Sequence, residues 1–370
     1  MCIFAFICFQ DSTRNIFENL NTHPISKASV IVVNYNGKRF LKDCFDSLLN
    51  QSYTNFEIIF VDNNSQDGSV DLIRRDYSSD KIRIVISDKN LGFAGGNNLG
   101  YKHCTGEYIV LLNNDTVVDR DWLKQLIACL ESDEQAGMAQ SLVLTEGIPA
   151  KYYEKNGTVN LLGHNIMEFF EIDKDGIGEI FLASGCSLII RKSLVEEIGG
   201  LFPEEYFAYA EDTYLCFKVK FRGLKILHTS KSVVHHKGGG TSANSKPSDL
   251  YFYKERNRLL NFLIFFSGSF VIRYIPYLVF NFLLKLFASV FSKKYTASQL
   301  IEAYVWLITN IGWIKSKRRE LNAIKTKDED YVLGYLTSKI FNGDNISQRI
   351  INFFSLLYCR ISFIRIFENK

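Results

Sequence analysis

An α/β fold, a mostly parallel sheet with helices on both faces, is what this sequence predicts, and two patterns predict it. From Ser29 onward, short β-branched and apolar runs alternate with helical segments, and several of those runs end in clusters of Asn, Asp and Gly. Alternation of this kind builds parallel strands joined by crossover helices. Ligands gather beyond the carboxyl ends of such strands. That rule selects Asn34 to Gly37, Asp62 to Ser65, Asp88 to Gly92 and Asn113 to Asp115 as one spatial cluster.

Taken in order, SVIVVNY reads as the first strand, followed by a helical stretch to Leu49. FEIIFVD is the second strand, with a helix through Ile73, and KIRIVISD is the third. The run NLGFAGGNNLG (90–100) reads as a glycine-rich turn opening a helix after Gly96, and EYIVLLNND as a buried strand with a polar tip. Residues 141–182 are rich in Gly and predict hairpins and loops facing a substrate. FLASGCSLIIRKSLVEEIGG predicts a strand and a short helix stopped at Gly199 and Gly200. YAEDTYLCFKVKFRG predicts a helix with Glu211 and Asp212 in its first turn.

Composition separates the chain into unlike parts. Its 370 residues are 47% hydrophobic and 22% charged, within the globular range. Net charge is only +3, yet residues 250–370 carry 18 basic against 8 acidic side chains, and the rest 25 against 32. The basic residues sit among Phe, Leu and Ile runs, which favours a membrane surface over nucleic acid, and no nucleic-acid partner is expected. Leu259 to Ile272 and Tyr274 to Leu284, interrupted by Arg273 and Pro276, predict in-plane or re-entrant helices rather than a clean crossing. Ser298 to Leu321 predicts a helix with Trp306 and Trp313 on its apolar side and a KSKRR end, lying in a membrane interface or packing on the α/β domain. Ile350 to Phe367 is a further apolar run. The opening MCIFAFICF is too short to span a bilayer and would dock on one or pack on the domain. The expected division is an extension (1–28), an α/β domain (29–257) and a helical membrane-associating region (258–370), at the cytoplasmic face of a membrane. Eight cysteines without a CxxC pair suit a reducing compartment and burial rather than zinc.

Four groups of residues could carry chemistry. Asp62 ends a strand, where a carboxylate could hold a ribose or a base edge, although Asp-Asn-Asn is also ordinary turn chemistry. Residues 90–100 could bring backbone N–H groups to an anion, or form a structural turn. Asp115 stands at the tip of a buried strand, where a hard divalent cation bridging diphosphate oxygens would want it. His235 or His236 could supply a second ligand, although paired loop histidines are more often structural. Glu211 and Asp212, among aromatics, suit a general base acting on a sugar hydroxyl, with favourable helix-dipole placement as the alternative.

In order, VVNYNG, VDNNSQDGS, NLGFAGGNN, NND, SGCSLIIRKS, FAYAEDTYL, HHKGGGTS and YKERN resemble the motif set of family 2 glycosyltransferases, nearest to the rhamnosyltransferase-like branch. The resemblance covers about residues 29–260. It implies a GT-A fold, a UDP- or dTDP-sugar donor, Mg²⁺ or Mn²⁺, inversion at the anomeric carbon and a glycan or lipid-linked acceptor. Carried over, Asn34, Asn36 and Asp62 resemble nucleoside-contacting positions, with Asn90, Gly95, Gly96, Asn97 and Asn114 also on the donor side and Arg256 facing the diphosphate. Asp115 resembles the metal-binding acid and His235 the later metal ligand, while Asp212 resembles the catalytic base with Glu211 supporting it. The first acid of the family's D-x-D motif is Asn113 here. Two other classes remain compatible with the residues. One is a non-catalytic sugar-nucleotide or glycan-binding subunit; the other is a nucleotidyltransferase, which the lack of a glycine-rich loop with Lys or Arg after the first strand disfavours.

Overall fold

The computed structural model describes residues 26–146, 155–169, 176–238, 250–291, 296–343 and 345–366. The run MCIFAFICF and the GGTS end of the histidine motif lie outside the described residues, as do parts of 141–182. The first half is β1 (Ala28–Asn34), α1 (Lys38–Leu49), β2 (Phe56–Asp62), α2 (Ser69–Asp76), β3 (Ile82–Ile86), α3 (Gly92–Tyr101) and β4 (Tyr108–Asn113). Then come β5 (Thr116–Val118), α4 (Trp122–Glu131), β6 (Ala136–Thr145), β7 (Lys155–Val159), β8 (Asn165–Phe169), β9 (Ile177–Ile180) and β10 (Ser187–Arg191). They lead into α5 (Lys192–Glu197), α6 (Glu211–Phe221) and β11 (Lys225–His236). The carboxyl-terminal helices are α7 (Tyr251–Phe265), α8 (Gly268–Phe291), α9 (Ala297–Thr309), α10 (Ile311–Ile324), α11 (Glu329–Leu333) and α12 (Ile346–Ile361).

Nine strands form one sheet in the order β3-β2-β1-β4-β10-β6-β11-β5, with β9 also on β11. β1, β2, β3, β4, β6 and β11 run the same way, and β5, β9 and β10 run against them. β1 is central, so its side chains are buried on both faces: Val30 and Val32 join α1 and α4, while Ile31 joins α3 and the later helices. β7 and β8 form a separate hairpin.

The expected boundary at residues 257 and 258 falls inside α7, whose Leu259, Phe262 and Phe265 share a core with Phe217 and Phe221 of α6. A continuous helix cannot be divided where one face packs on the sheet domain and the other on later helices. α8 also differs from expectation, running 24 residues straight through Arg273 and Pro276. At about 36 Å it is long enough to cross a bilayer, and it is the one described helix that passes by length and composition. Ser298 to Leu321 is two helices meeting at Asn310, with the Trp306 and Trp313 rings edge to face at 5.8 Å. Both Trp side chains pack back toward the sheet domain: Trp313 Nε1 donates to Glu205 at 2.9 Å, and Arg256 stacks on Trp306.

Candidate active site

The ends of β1, β2 and β4 meet through amide side chains. Asn34 lies in register with Asp62. Its Nδ2 donates to Asp62 Oδ1 at 3.2 Å and to Ser65 Oγ at 3.0 Å, and its Oδ1 accepts from Asn114 Nδ2 at 2.7 Å. Asp62 uses its other oxygen on the Ser65 N–H at 2.8 Å. Asn36 sits in the left-handed region at φ 50° and accepts the Gln66 N–H at 2.7 Å. Residue 37 is glycine because a Cβ there would run into the Asn34 and Asn114 side chains. Beside this knot an open cleft of about 480 Å³ is lined by Asn36, Lys38, Arg39, Asp67 and Leu72.

The glycine run is not a loop ahead of a helix: residues 92–101 are the helix α3 itself. Asn90 accepts the Gly92 N–H at 2.9 Å at its start. Gly96 lies against Val33, and a Cβ there would come within 2.6 Å of its methyl, so the close approach that requires glycine is helix against strand. Gly95 packs on Leu91, and Asn97 is buried with its Nδ2 on the Phe93 carbonyl at 2.9 Å. Of the three, Gly96 seats α3 on the sheet, while Gly95 and Asn97 contact the helix and the residue that precedes it.

Asp115 follows β4 and is 3% exposed. His236, not His235, faces it: His236 Nε2 lies 3.2 Å from Asp115 Oδ1, whereas His235 Nε2 lies 3.2 Å from the exposed Asp119. Adjacent residues on a strand point to opposite faces, so only one of the pair can meet Asp115.

Glu211 and Asp212 open α6 after an unusual turn in which Phe207, Tyr209 and Ala210 all have positive φ, at 57°, 70° and 62°. Asp212 Oδ1 accepts the Thr213 N–H at 2.7 Å, and its Oδ2 faces the Gly185 N–H at 3.5 Å. Burial, then the Asp212 carboxylate beside it, raises Glu211 well above the ordinary carboxylate range. Its Oε2 is buried with no hydrogen-bond partner among the described residues. Asp212 is also raised by burial, opposed by the N–H groups of Thr213 and Gly185. Of the two, Asp212 is the better stabilised anion, and Glu211 is the more strongly raised.

Arg256 packs in a seam with Glu205 and α9. Its guanidinium donates to the Glu205 carbonyl and to Asn257 Oδ1, and stacks on Trp306 with its centre 4.5 Å from the ring centroid. Its Nε and Nη2 donors and its ring-stacking face are thus engaged in that seam.

The acids are linked by short steps. Asn34 joins Asp62 to Asn114, the neighbour of Asp115. Asn113 donates to the Cys186 carbonyl at 3.0 Å, and the next residue back, Gly185, faces Asp212. Asp62, Asp115 and Asp212 are thus joined along one rim at the strand ends.

Residues 29–199 match the family described as Glycosyl transferase family 2. The match spans a little under half of the chain. Among curated relatives, it is 26% identical over 240 residues to the O-antigen biosynthesis protein RfbC of Myxococcus xanthus, covering 61% of this chain and 18% of RfbC. It is 22% identical over 266 residues to the low-salt glycan biosynthesis hexosyltransferase Agl10 of Haloferax volcanii, covering 71% of this chain and 82% of Agl10. The structure of GalNAc-T7 with UDP, GalNAc and Mn²⁺ superposes with a TM-score of 0.58 at 14% identity over 79% of this chain and 57% of that one. The fold is GT-A, a mostly parallel sheet followed by a helical carboxyl-terminal region.

Within the sheet domain, the donor set suits a divalent cation. Asp115 offers a hard oxygen and His236 a nitrogen, already adjacent. Among the described residues no three His, Cys, Asp or Glu side chains gather, so those residues would supply two ligands. Sequence reasoning missed Gly185, whose N–H faces the Asp212 carboxylate, and Asn257, which braces the turn before Glu211. The SGC motif was the available signal for the first, and the final residue of YKERN for the second.

Proposed function

We propose that this chain is an inverting glycosyltransferase that moves a sugar, rhamnose being the first candidate, from a UDP- or dTDP-sugar to a hydroxyl of a glycan or lipid-linked acceptor in cell-surface polysaccharide synthesis. The observation that carries the reading is the Asp212 carboxylate against the Gly185 N–H, one residue from the contact between Cys186 and the tip of β4 that bears Asp115. Asp212 takes the proton of the acceptor hydroxyl, whose oxygen bonds to the anomeric carbon from the face opposite the nucleotide. The bond from that carbon to the diphosphate oxygen breaks, and its electron pair leaves with the nucleoside diphosphate. Inversion follows from single displacement.

Asp62 and the amides of Asn34, Asn36 and Asn114 hold the nucleoside end of the donor, with Asn90 at the start of α3 beside them. Glu211, raised in pKa by burial and by the neighbouring Asp212, would as a neutral acid keep a second negative charge away from the base. Asp115 and His236 would hold Mn²⁺ or Mg²⁺, and the ion when bound offsets charge on the departing diphosphate.

Attachment to the cytoplasmic face of a membrane is part of the same proposal. From Val271 to Phe291 every exposed position of α8 is Ile, Pro, Val, Phe or Leu. Exposed Ile350, Phe353, Phe354, Leu357 and Ile361 form a similar stripe on α12, with exposed Arg349 and Arg360 along one edge. Apolar stripes with basic margins suit an anionic lipid surface.

The test is a panel of nucleotide sugars offered with lipid-linked acceptors and Mn²⁺ or Mg²⁺, reading nucleoside diphosphate release. Release dependent on acceptor and on Asp212 supports the proposal. Donor binding without release would mark a non-catalytic binding subunit, and pyrophosphate release from a nucleoside triphosphate would mark a nucleotidyltransferase.

A further inference from the structure

Helix α7 presents two fully buried asparagines to the turn that leads into Glu211 and Asp212. Asn257 Nδ2 reaches three backbone carbonyls, those of Tyr206, Ala208 and Tyr209, at 2.8, 2.9 and 2.8 Å. Its Oδ1 accepts from Arg256 Nε and Nη2 at 2.9 and 2.8 Å. One turn further on, Asn261 Nδ2 donates to the Ala210 carbonyl at 3.0 Å, and its Oδ1 accepts the Tyr206 hydroxyl at 2.5 Å.

The segment so held needs holding. Phe207, Tyr209 and Ala210 are all left-handed, a conformation that opposes an L side chain, and no glycine relieves them. The turn is also what seats α3, because the Phe207 carbonyl accepts the Ala94 N–H at 3.0 Å. It then delivers Asp212 to the Gly185 N–H. Without the two asparagines, the Ala208 and Tyr209 carbonyls would lose these side-chain donors and those of Tyr206 and Ala210 would keep only the N–H groups of Ala208 and Tyr214, just where the backbone is least favourable. α7 is itself fixed, since Glu255 accepts from Lys285 Nζ and Asn281 Nδ2 of α8, each at 2.6 Å, and pairs with Arg258.

We propose that Asn257 and Asn261 are positioning residues for Asp212. They touch no substrate and act by fixing the path of residues 206–210, and hence where the base points. The kinetic half of the test rests on the transferase reading; the structural half does not.

Asn257→Ser, Asn261→Ser and Tyr206→Phe are compared with the wild-type full chain by hydrogen exchange of backbone amides and by steady-state kinetics. In Asn257→Ser, exchange across residues 207–213 is expected to quicken at least about ten-fold while β1, β2 and β4 keep their protection. kcat is expected to fall about 10- to 100-fold with donor KM within about two-fold, as misplacement of a reacting group predicts. Asn261→Ser follows more mildly, and Tyr206→Phe, which removes only the bond to Asn261, most mildly. Should Asn257→Ser fail to fold, the other two carry the same comparison. Wild-type exchange at 207–213 in folded variants overturns the proposal, and so does faster exchange spread evenly over the central strands. A wild-type chain that releases no nucleoside diphosphate sinks the transferase reading, while the exchange pattern still decides the positioning role.

Discussion

His236 Nε2 lies 3.2 Å from Asp115 Oδ1, while its neighbour His235 turns to Asp119 on the other side of the strand. The two histidines therefore differ in consequence. His236→Ala is expected to weaken Mn²⁺ binding by about 10-fold or more, and His235→Ala to leave it within about two-fold. An imidazole nitrogen suits Mn²⁺ better than Mg²⁺, so activity should be higher with Mn²⁺, and His236→Ala should narrow that preference. Metal titration monitored by activity and by calorimetry checks both statements; equal effects from the two variants would remove His236 from the site.

Asp212→Asn is expected to lower transfer by at least about 10³-fold while changing donor affinity less than two-fold. Its effect on stability has the opposite sign. Glu211 and Asp212 both titrate above the ordinary carboxylate range, so above that range's lower edge the folded chain keeps protons that the unfolded chain has released. Stability therefore falls as pH rises through the raised values. Removing the Asp212 charge relieves this, and Asp212→Asn should melt higher than wild type by a margin larger at pH 8 than at pH 4. Thermal unfolding across that range reads the difference.

Most of the parallel half was legible in the sequence because strand runs and polar tips coincide. FEIIFVD is β2 residue for residue, and Glu211 and Asp212 open α6 as their position predicts. What was not legible depends on phase. β11 slips its register against β6 between Thr229 and Val233, and such a bulge changes which residues after it face inward. No local pattern announces that slip, so His235 and His236 could not be ranked. Arg256 depends on phase in a similar way: one position along a helix turns a side chain by about 100°, and Asn257 takes its Nε and Nη2. The glycines of α3 misled because a run that breaks isolated helices is here required by contact with Val33 and Ile31.

Gly96→Ala isolates that contact. A methyl at residue 96 meets Val33 and the Asn63 amide, at 2.6 and 2.9 Å. The change is expected to cost about 1–3 kcal/mol despite alanine's higher helix propensity. Denaturant unfolding measures it; a stabilised variant would mean that α3 shifts freely on the sheet.

Lys218 offers a second pH handle, remote from the acids. Burial, then the charge of Lys317, pushes it down from its usual 10.5 to about 7, with its Nζ on the Gly200 carbonyl at 2.7 Å. Between about 7 and 10.5 the unfolded chain holds a proton that the folded chain has shed, so this group makes stability rise with pH. Lys218→Met should therefore raise Tm more at pH 6 than at pH 9. A pH-independent difference would count against a buried, charge-bearing lysine.

Ile272→Lys combined with Leu283→Lys puts two charges on the exposed face of α8. Co-flotation with vesicles containing about a third anionic phospholipid is expected to fall at least about five-fold, with the far-ultraviolet spectrum unchanged. Undiminished flotation would remove that face from the lipid contact.

The uninterrupted apolar outer face of α8 also bears on kinetics. A catalyst held by that face shares a thin layer with any acceptor carried on a lipid, so the two meet by lateral diffusion rather than through bulk solution. Turnover should then track the number of acceptors per unit of surface, and diluting a fixed amount of acceptor with inert phospholipid should slow the reaction even when every concentration in the tube stays the same.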